Sequence, residues 1–356
     1  MPNQSNNASE TLVSVFYTTH LVSFVLMVFL SITTVVGNGL LLLATWKDPF
    51  RSFRNPTSIL VASLGFADFL TGLIVDPLAA SINLMAYLKR LQVREDQIYK
   101  QIASFSFSFS LVTMNASFMT VLALTCIQVI AVSSPHEYKD KITKLKCLIC
   151  VVCIWGYTTL FSLLPVMGVS TDITAQLDLH INTSTVLLAL VLAYAFLYRS
   201  YRTHLDSESM RRSGTSQFQR RRNRRQFTLL NLLLAAFVIV FSLPIEVLGH
   251  LKFYWTSSNP NQRLKYLIAY TIAGDIILLK FALDPFAYAL RLPKYRLAFK
   301  NILYRSSYRV PQSSHLGPPL RSSYEFGVDS RVTGNEVKQL GVSVKEDKTV
   351  PSELAV

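Results

Sequence analysis

Charged residues and cysteines are both scarce in this chain, and each scarcity excludes a class of protein. Only 16% of the 356 residues are charged, against about 25% in an ordinary soluble domain. The deficit falls in long apolar runs, which predict a chain surrounded by lipid. The four cysteines stand at the ends of such runs, and none lies in a segment predicted to be extracellular, so we expect no structural disulfide.

Residue patterns that support catalysis are also missing. The sequence contains no paired carboxylates, Ser-His-Asp set, phosphate-binding loop or metal-ligand spacing, so we expect no enzyme, metal or cofactor. The spacing of Cys147, Cys150 and Cys153 resembles an iron–sulfur ligand run. These residues lie in an apolar helix with no fourth ligand nearby, so we interpret them as thiols that pack as small hydrophobes.

Seven apolar segments predict an all-α membrane protein built as a seven-transmembrane helix bundle. Each is long enough to cross a membrane, because roughly 20 mostly apolar residues span ~30 Å of hydrocarbon. Pro165 and Pro244 interrupt the fourth and sixth segments, which bundles tolerate. The predicted spans are Leu21–Thr45, Ser58–Met85, Ile102–Val132, Cys147–Val169, Ile181–Tyr201, Phe227–Lys252 and Leu267–Leu290.

Basic residues gather in alternate connectors of the predicted bundle. The chain carries 35 Lys and Arg against 21 Asp and Glu, and the bases follow spans one, three, five and seven. The positive-inside rule therefore places the N-terminus outside and the C-terminus in the cytosol of a multi-pass plasma-membrane protein. The Arg-rich connector after the fifth span indicates membrane lipids rather than nucleic acid.

Both ends of the chain differ in composition from the spans. The start is polar, lacks the basic stretch of a cleaved signal peptide, and offers glycosylation sequons at Asn3 and Asn7. An amphipathic stretch, Pro293–Leu303, predicts a short eighth helix, and a tail rich in Ser, Pro, Gly and charge predicts disorder. The predicted domains are an extracellular tail (1–20), a seven-helix domain with helix eight (21–303) and a cytoplasmic tail (304–356).

Short motifs stand at regular places within the spans. They are Gly37-Asn38, Leu64 with Asp68, Trp155 with Pro165, Phe241-Ser242-Leu243-Pro244 and Asp284-Pro285-Phe286-Ala287-Tyr288. In this order and spacing they resemble the rhodopsin-like family of G-protein-coupled receptors, from Gly37 to about Phe299. The resemblance implies a receptor that couples an extracellular ligand to a heterotrimeric G protein.

Several motifs of that family are altered here. Where the family ends its third span with Asp-Arg-Tyr, this chain has Ile127-Gln128-Val129, and the switch tryptophan of the sixth span is Ser242. The third span lacks the usual opening cysteine, near Ala103, and the fifth lacks a proline. Because Gln128 lacks the charge of the family's arginine, the resemblance implies weak or atypical coupling.

Four features occur together in one branch of the family. They are the lost cysteine, the absent fifth-span proline, a short second extracellular connector and Asp284-Pro285 in place of Asn-Pro. That branch contains the melanocortin, cannabinoid, lysophospholipid and adenosine receptors, and the chain is most similar to the melanocortin side. Melanocortin receptors bind peptides through acidic residues that have no one-to-one match here, so the resemblance does not extend to the ligand.

The resemblance also assigns roles by position. Candidate ligand-binding residues are Asp76, Ser110, Met114, Glu246, His250 and Asp275. Candidate switch and coupling residues are Gln128, His136, Tyr194, Ser242, Pro244, Pro285 and Tyr288. The family's amine-binding aspartate of the third span is Ser110 here, which argues against a monoamine ligand.

One lysine and two aspartates predict a buried charge cluster. Lys280 and Asp284 are four residues apart and share a helical face, and the resemblance places both with Asp68 around the family's sodium pocket. Because unpaired ions are costly inside a membrane, we expect the ammonium to replace sodium; the alternative is that it snorkels or faces a water-filled cavity. Leu278, about 200° around the helix, holds the retinal-lysine position, which excludes an opsin.

Three further carboxylates, Asp76, Glu246 and Asp275, fall in the outer halves of spans two, six and seven. Glu246 follows the kink at Pro244, with His250 one turn further out, so these side chains could bind a cationic ligand group. The alternative is pairing with rim lysines or water. Both interpretations stay open for Glu246, whereas rim pairing is favoured for Asp76 and Asp275.

Ligand-gated signalling is the leading functional hypothesis, in which an extracellular ligand of unknown class shifts the bundle between two packings. The alternative is a non-signalling seven-helix scavenger or partner, which the replacement at Gln128 supports. Apolar residues at the last and third-last places, Val356 and Leu354, predict a PDZ domain as a further partner.

Overall fold

The computed structural model describes residues 2–47, 55–89, 92, 96–133, 138–208, 215–254 and 259–291. Three predicted features lie outside these residues: His136, the eighth helix at 293–303, and the tail at 304–356 with its PDZ-binding end. The side chains of Asn3, Asn7 and Tyr288 also lie outside the described part, although their backbones are helical.

Helices make up nearly all of the described chain, as the sequence predicted. Seven of them are long and apolar enough to cross a membrane: Glu10–Lys47, Thr57–Lys89, Gln97–Ser133, Lys144–Ser162, Thr171–Arg199, Leu229–Tyr254 and Pro260–Ala287. The α-helices run Pro2–Lys47, Thr57–Leu70, Asp76–Lys89, Gln97–Ser133, Tyr138–Lys141, Lys144–Ser162, Thr171–Leu177, Thr185–Glu208, Thr215–Tyr254 and Pro260–Arg291. The seven-helix fold is therefore confirmed.

The second and fifth spans each contain a π-helical segment, Thr71–Val75 and Asp178–Ser184. The first segment lies at the middle of its span, Thr57–Lys89, and the second lies in the first half of its span, Thr171–Arg199. Such segments are rare and often stand at functional sites. The apolar Thr71–Val75 does not stand out from its hydrophobic span, whereas Asp178–Ser184 is mostly polar.

The fourth span is shorter than predicted. Its helix ends at Ser162, not Val169, and turns occupy 163–168, because Pro165 has no N–H to donate to the Phe161 carbonyl. Gly168 then takes a φ of +95°, a conformation that glycine adopts without strain. The fifth span begins earlier than predicted, at Thr171, where the Ser170 hydroxyl accepts a hydrogen bond from the Ile173 N–H at 3.2 Å.

The third span lies at the centre of the bundle and packs against the second, fourth, fifth and sixth. The first span packs against the second and seventh. Pro285 lies inside the continuous seventh helix, so the carbonyl of Phe281, four residues earlier, loses its helical N–H partner. Asn38 of the first span supplies the missing donor, with Nδ2 3.1 Å from that carbonyl oxygen.

Gly37 permits this close approach of the first and seventh spans. A Cβ atom placed on Gly37 would lie 2.9 Å from Pro285 Cγ and 3.2 Å from Pro285 Cβ. Both distances are shorter than normal van der Waals contact, and the proline ring cannot rotate away. The position therefore requires glycine for packing.

We expect Gly37→Ala to lower the free energy of unfolding. Overpacking costs about 1–3 kcal/mol, which alanine's better helix propensity offsets by at most about 1 kcal/mol. Thermal unfolding of the purified protein in detergent measures the change. Gly156→Ala is the matched control, since a Cβ there meets nothing within 4 Å. Equal losses in both variants would contradict the packing argument.

Candidate functional site

Four side chains from three spans meet in a buried group that we call the central cluster: Asp68, Ser117, Lys280 and Asp284. Each of the four is 0% exposed. Lys280 and Asp284 lie one turn apart on the seventh span, while Asp68 and Ser117 come from the second and third. The structure thus brings together the three charged residues that the sequence predicted to be neighbours, and adds a serine.

The Lys280 ammonium connects the members of the central cluster. Its Nζ atom lies 2.8 Å from Asp284 Oδ2 and 3.5 Å from Asp68 Oδ1, and it donates to Ser117 Oγ at 2.5 Å. Ser117 in turn donates to Asp68 Oδ1 at 2.7 Å. The ammonium therefore lies within 3.5 Å of oxygen atoms on three different spans.

Two aromatic rings complete the surroundings of this ammonium. Lys280 Nζ lies 4.4 Å from the centroid of the Phe281 ring and 5.6 Å from that of Phe118. The rings are nearly parallel, with centroids 6.2 Å apart. Both add electrostatic attraction for the cation. Because a sodium ion would need the same oxygen atoms as the ammonium, the two cations exclude each other.

A second polar group, the carboxylate–histidine cluster, joins the fifth and sixth spans through Asp178, Ser184, Glu246 and His250. Glu246 Oε1 accepts a hydrogen bond from Ser184 and lies 3.4 Å from His250 Nε2. The Glu246 side chain is 9% exposed. Its other oxygen, Oε2, is buried and has no hydrogen-bond partner among the described residues.

Asp178 places a second carboxylate beside Glu246, close enough for the two negative charges to repel each other. Asp178 Oδ1 accepts hydrogen bonds from Asn115 at 2.7 Å and Asn182 at 2.8 Å. Tyr157 donates to Asn182 Oδ1 at 2.6 Å. Asp178 was not predicted as a site residue, because the fifth span was predicted to begin at Ile181. The spacing of Asp178 and Asn182, four residues apart on one helical face, is the sequence feature that could have indicated it.

Exposure increases from this cluster towards the end of the bundle. The exposed fraction is 35% for the His250 side chain and 71% for Tyr254. The rings of His180 and His250 meet edge to face at 4.8 Å. At the rim, Lys252 pairs with Asp172 at 2.9 Å. Within the described residues, no lysine or arginine pairs with Glu246 or Asp178.

The predicted rim pairing of Asp76 is wrong. Asp76 directly follows the π-helical segment of the second span and is 0% exposed, so it does not reach the rim. Among the described residues, its polar neighbour is the Thr34 hydroxyl of the first span rather than a lysine or arginine. Asp275 accepts a hydrogen bond from Ser23 of the first span at 2.6 Å rather than pairing with a lysine.

Ser110 and Met114 are less involved in polar contacts than their family positions imply. The Ser110 hydroxyl donates to the Phe107 carbonyl of its own helix at 2.7 Å. Met114 is half-buried and packs against the hydrophobic core. Asn115, one residue further along the third span, is the residue that contacts the carboxylate–histidine cluster.

Gln128 forms an uncharged link between the third and sixth spans. It is 2% exposed, and its Oε1 accepts a hydrogen bond from Asn231 Nδ2 at 3.4 Å. The same Nδ2 lies 3.5 Å from the Leu124 carbonyl oxygen. Asn231 was not predicted as a site residue, because an uncharged asparagine within an apolar span has no feature in the sequence that indicates a contact.

The remaining switch candidates occupy separate places. Ser242 is buried and donates to the Val238 carbonyl, while Tyr194 is 37% exposed on the fifth span. Pro244 lies inside an unbroken helix, Thr215–Tyr254. These three residues therefore do not converge on a single contact.

Comparisons with known proteins agree with this architecture. Residues 37–288 match the family described as "7 transmembrane receptor (rhodopsin family)". The chain is similar to a D(1)-like dopamine receptor of Takifugu rubripes, with 29% identity over 136 residues, which is 38% of this chain and 27% of that protein. It is also similar to dopamine receptor 4 of Caenorhabditis elegans, with 23% identity over 129 residues, covering 36% and 23%. The chain thus spans about a quarter of each relative's length.

Removing the central ammonium should destabilise the bundle severely. Lys280→Ala leaves Asp68 and Asp284 as neighbouring buried carboxylates, which costs about 3–5 kcal/mol and should appear as low expression and a lower unfolding temperature. Lys252→Ala, at a largely exposed pair, is the matched control, with an expected loss of about 0–1 kcal/mol. Similar losses in the two variants would count against a structural role for the ammonium.

Sodium should not stabilise the wild-type protein, because the Lys280 ammonium occupies the oxygen atoms that would bind it. Replacing sodium chloride by choline chloride at equal ionic strength should leave the unfolding temperature unchanged. Lys280→Ala frees those oxygens, so sodium at ten times its Kd should stabilise that variant by about 1.4 kcal/mol. A sodium-dependent shift in the wild type would refute the replacement.

Proposed function

Because the chain belongs to the rhodopsin family of seven-transmembrane receptors, we propose that it recognises an extracellular ligand bearing a cationic group. The family match covers residues 37–288, and members of this family are receptors rather than enzymes. They are multi-pass proteins of the plasma membrane that work with an extracellular ligand and a G protein. The ligand class and the strength of coupling are the proposed part.

The Glu246 oxygen that lacks a hydrogen-bond donor is the observation that supports the ligand proposal. Glu246 Oε2 is buried without a hydrogen-bond donor, and Asp178 adds a second negative charge nearby. Two carboxylates with no lysine or arginine partner among the described residues favour a cation at this place. An ammonium or guanidinium entering past His250 and Tyr254 would supply both charge and hydrogen-bond donors.

The relatives support the charge of the ligand but not its mode of binding. Both are named as dopamine receptors, and dopamine carries an amine. The family's amine-binding aspartate in the third span is Ser110 here, so the same contact is not available. We therefore place the cationic group between the fifth and sixth spans, at Asp178 and Glu246.

Weak coupling is the second part of the proposal, and Gln128 supports it. The family's arginine at this position contacts the G protein, and a glutamine lacks its charge and reach. The neutral contact between Gln128 and Asn231 takes the place of an ionic restraint between the third and sixth spans. Gln128 equally supports a second candidate function, that of a scavenger which binds its ligand without signalling.

Three finer features complete the proposal. We place the N-terminus outside, with Asn3 and Asn7 glycosylated, on the distribution of basic residues. We place the chain in the branch that contains the melanocortin receptors, since Asp284-Pro285 and the missing fifth-span proline are typical of it. We also propose that the C-terminal Val356 binds a PDZ domain.

The ligand proposal predicts that charge at Glu246 determines binding. A panel of primary amines, each paired with a neutral isostere of the same shape, should stabilise the purified receptor only through its cationic members. Glu246→Gln should weaken the binding of such an amine by about 30-fold or more, equivalent to about 2 kcal/mol or more. Thermal shift and radioligand displacement measure the effect.

Asp172→Asn is the control for this experiment, because Asp172 is a rim carboxylate, 77% exposed, that already has Lys252 as its partner. Its removal should leave amine binding unchanged. Equal binding of the amines and their neutral isosteres would contradict the proposal, as would an amine affinity that Glu246→Gln does not alter.

The coupling proposal predicts low basal G-protein activation in wild-type cells, increased by Gln128→Arg because the cationic contact is restored. Gln128→Ala breaks the link to Asn231 without adding charge, so it separates loss of the restraint from gain of the contact. A G-protein dissociation assay at matched surface expression measures all three proteins. A strong agonist-driven response from the wild type would show that glutamine is tolerated at this position.

A further inference from the structure

The central cluster contains more negative than positive charge. Asp68 and Asp284 could carry two negative charges, and Lys280 carries one positive charge. The groups that act electrostatically on Asp68 are Lys280, Asp284 and the Ser117 hydroxyl. Asn38 of the first span and Ser242 of the sixth are neutral and bonded to backbone carbonyls. With both carboxyl groups ionised, the cluster would hold a net charge of −1 in the membrane interior.

Hydrogen bonding is also incomplete if both acids are ionised. Ser117 and Lys280 both approach Asp68 Oδ1, and Lys280 approaches Asp284 Oδ2. Asp68 Oδ2 and Asp284 Oδ1 are buried and have no donor in the described chain. The two carboxyl groups are close enough to share a hydrogen bond. Two carboxylates that flank one ammonium repel each other, and one proton held between them removes both the excess charge and the missing hydrogen bond.

We propose that the central cluster is a proton-binding site, in which one proton from water is held between the carboxyl groups of Asp68 and Asp284. The cluster then contains an ammonium, a carboxylate and a carboxylic acid, and is electrically neutral. The acid is Asp68, because the ammonium lies closer to Asp284, at 2.8 Å against 3.5 Å, and so stabilises the negative charge there. The protonated Asp68 donates to the Asp284 carboxylate.

This arrangement predicts that replacement by asparagine has different effects on stability at the two aspartates. In Asp68→Asn, the amide can donate to the Asp284 carboxylate through Nδ2 and accept from Ser117 through Oδ1, so it imitates the protonated acid. In Asp284→Asn, Lys280 loses its nearest carboxylate. We expect Asp68→Asn to keep the wild-type unfolding temperature and Asp284→Asn to lower it.

The proton also makes stability depend on pH. An unfolded aspartate releases its proton near pH ~4, so at neutral pH the folded chain holds one more proton than the unfolded chain. Stability must then fall as pH rises, by up to about tenfold in the folding equilibrium constant per pH unit for one proton. Asp68→Asn has no proton to lose there, so its stability should fall less steeply than that of the wild type.

Thermal unfolding of the detergent-purified receptor from about pH 6 to about pH 9 measures this difference. Asp172→Asn, at an exposed carboxylate, is the control and should keep the wild-type slope. Infrared spectroscopy gives a direct second measurement. The wild-type minus Asp68→Asn difference spectrum should show the carbonyl band of a protonated carboxyl group that shifts in deuterated water, because other buried carboxyl groups, such as Asp76, contribute equally to both proteins and cancel.

Asp284→Asn also removes the shared pair and should lose the same infrared band. It is the test variant to use if Asp68→Asn does not fold. Retention of the band in whichever variant folds, together with a wild-type pH slope, would show that the proton lies elsewhere and overturn the proposal. Identical unfolding temperatures for the two folded variants would overturn the assignment of the proton to Asp68.

Discussion

Polar groups inside a membrane have no water to form hydrogen bonds with, and this constraint accounts for the polar contacts that join the spans. Pro285 shows how far it reaches. Its ring deprives the Phe281 carbonyl of a helical donor, and the Asn38 amide replaces that donor from the first span. Gly37, one residue earlier, lets the two helices come close enough for the bond to form. Packing and hydrogen bonding are thus a single requirement here.

The two polar clusters satisfy this constraint to different degrees. In the central cluster the ammonium of Lys280 lies between oxygen atoms from three spans and holds the bundle together. In the carboxylate–histidine cluster, Glu246 has an oxygen with no donor among the described residues and a second acid near it, but no lysine or arginine partner there. Carboxyl groups that share a buried ammonium are typical of a structural core. Carboxyl groups without a cation are typical of a place where another molecule supplies one.

Much of the fold could be predicted from the sequence, because hydrocarbon imposes a length and composition that seven segments satisfy. The neighbours Lys280 and Asp284 could be predicted too, since their spacing puts them on one face of a helix. Asp178 and Asn231 could not, because each depends on how far one helix is rotated or extended relative to another. The burial of Asp76 was missed for the same reason. Apolar runs specify that a helix crosses the membrane, but not which polar residue faces which neighbour.

The π-helical segments of the second and fifth spans affect how this chain is compared with its relatives. A π turn holds one residue more than an α turn, and each residue turns an α-helix by about 100°. A relative without the segment at Thr71–Val75 would therefore place a different residue at the spatial position of Asp76, although both chains agree at Asp68. Residues matched by counting along the two sequences would therefore be offset by one residue beyond each segment. The role of a relative's residue beyond these segments can be assigned to a residue of this chain only after the two structures are superposed, with a gap allowed in the alignment.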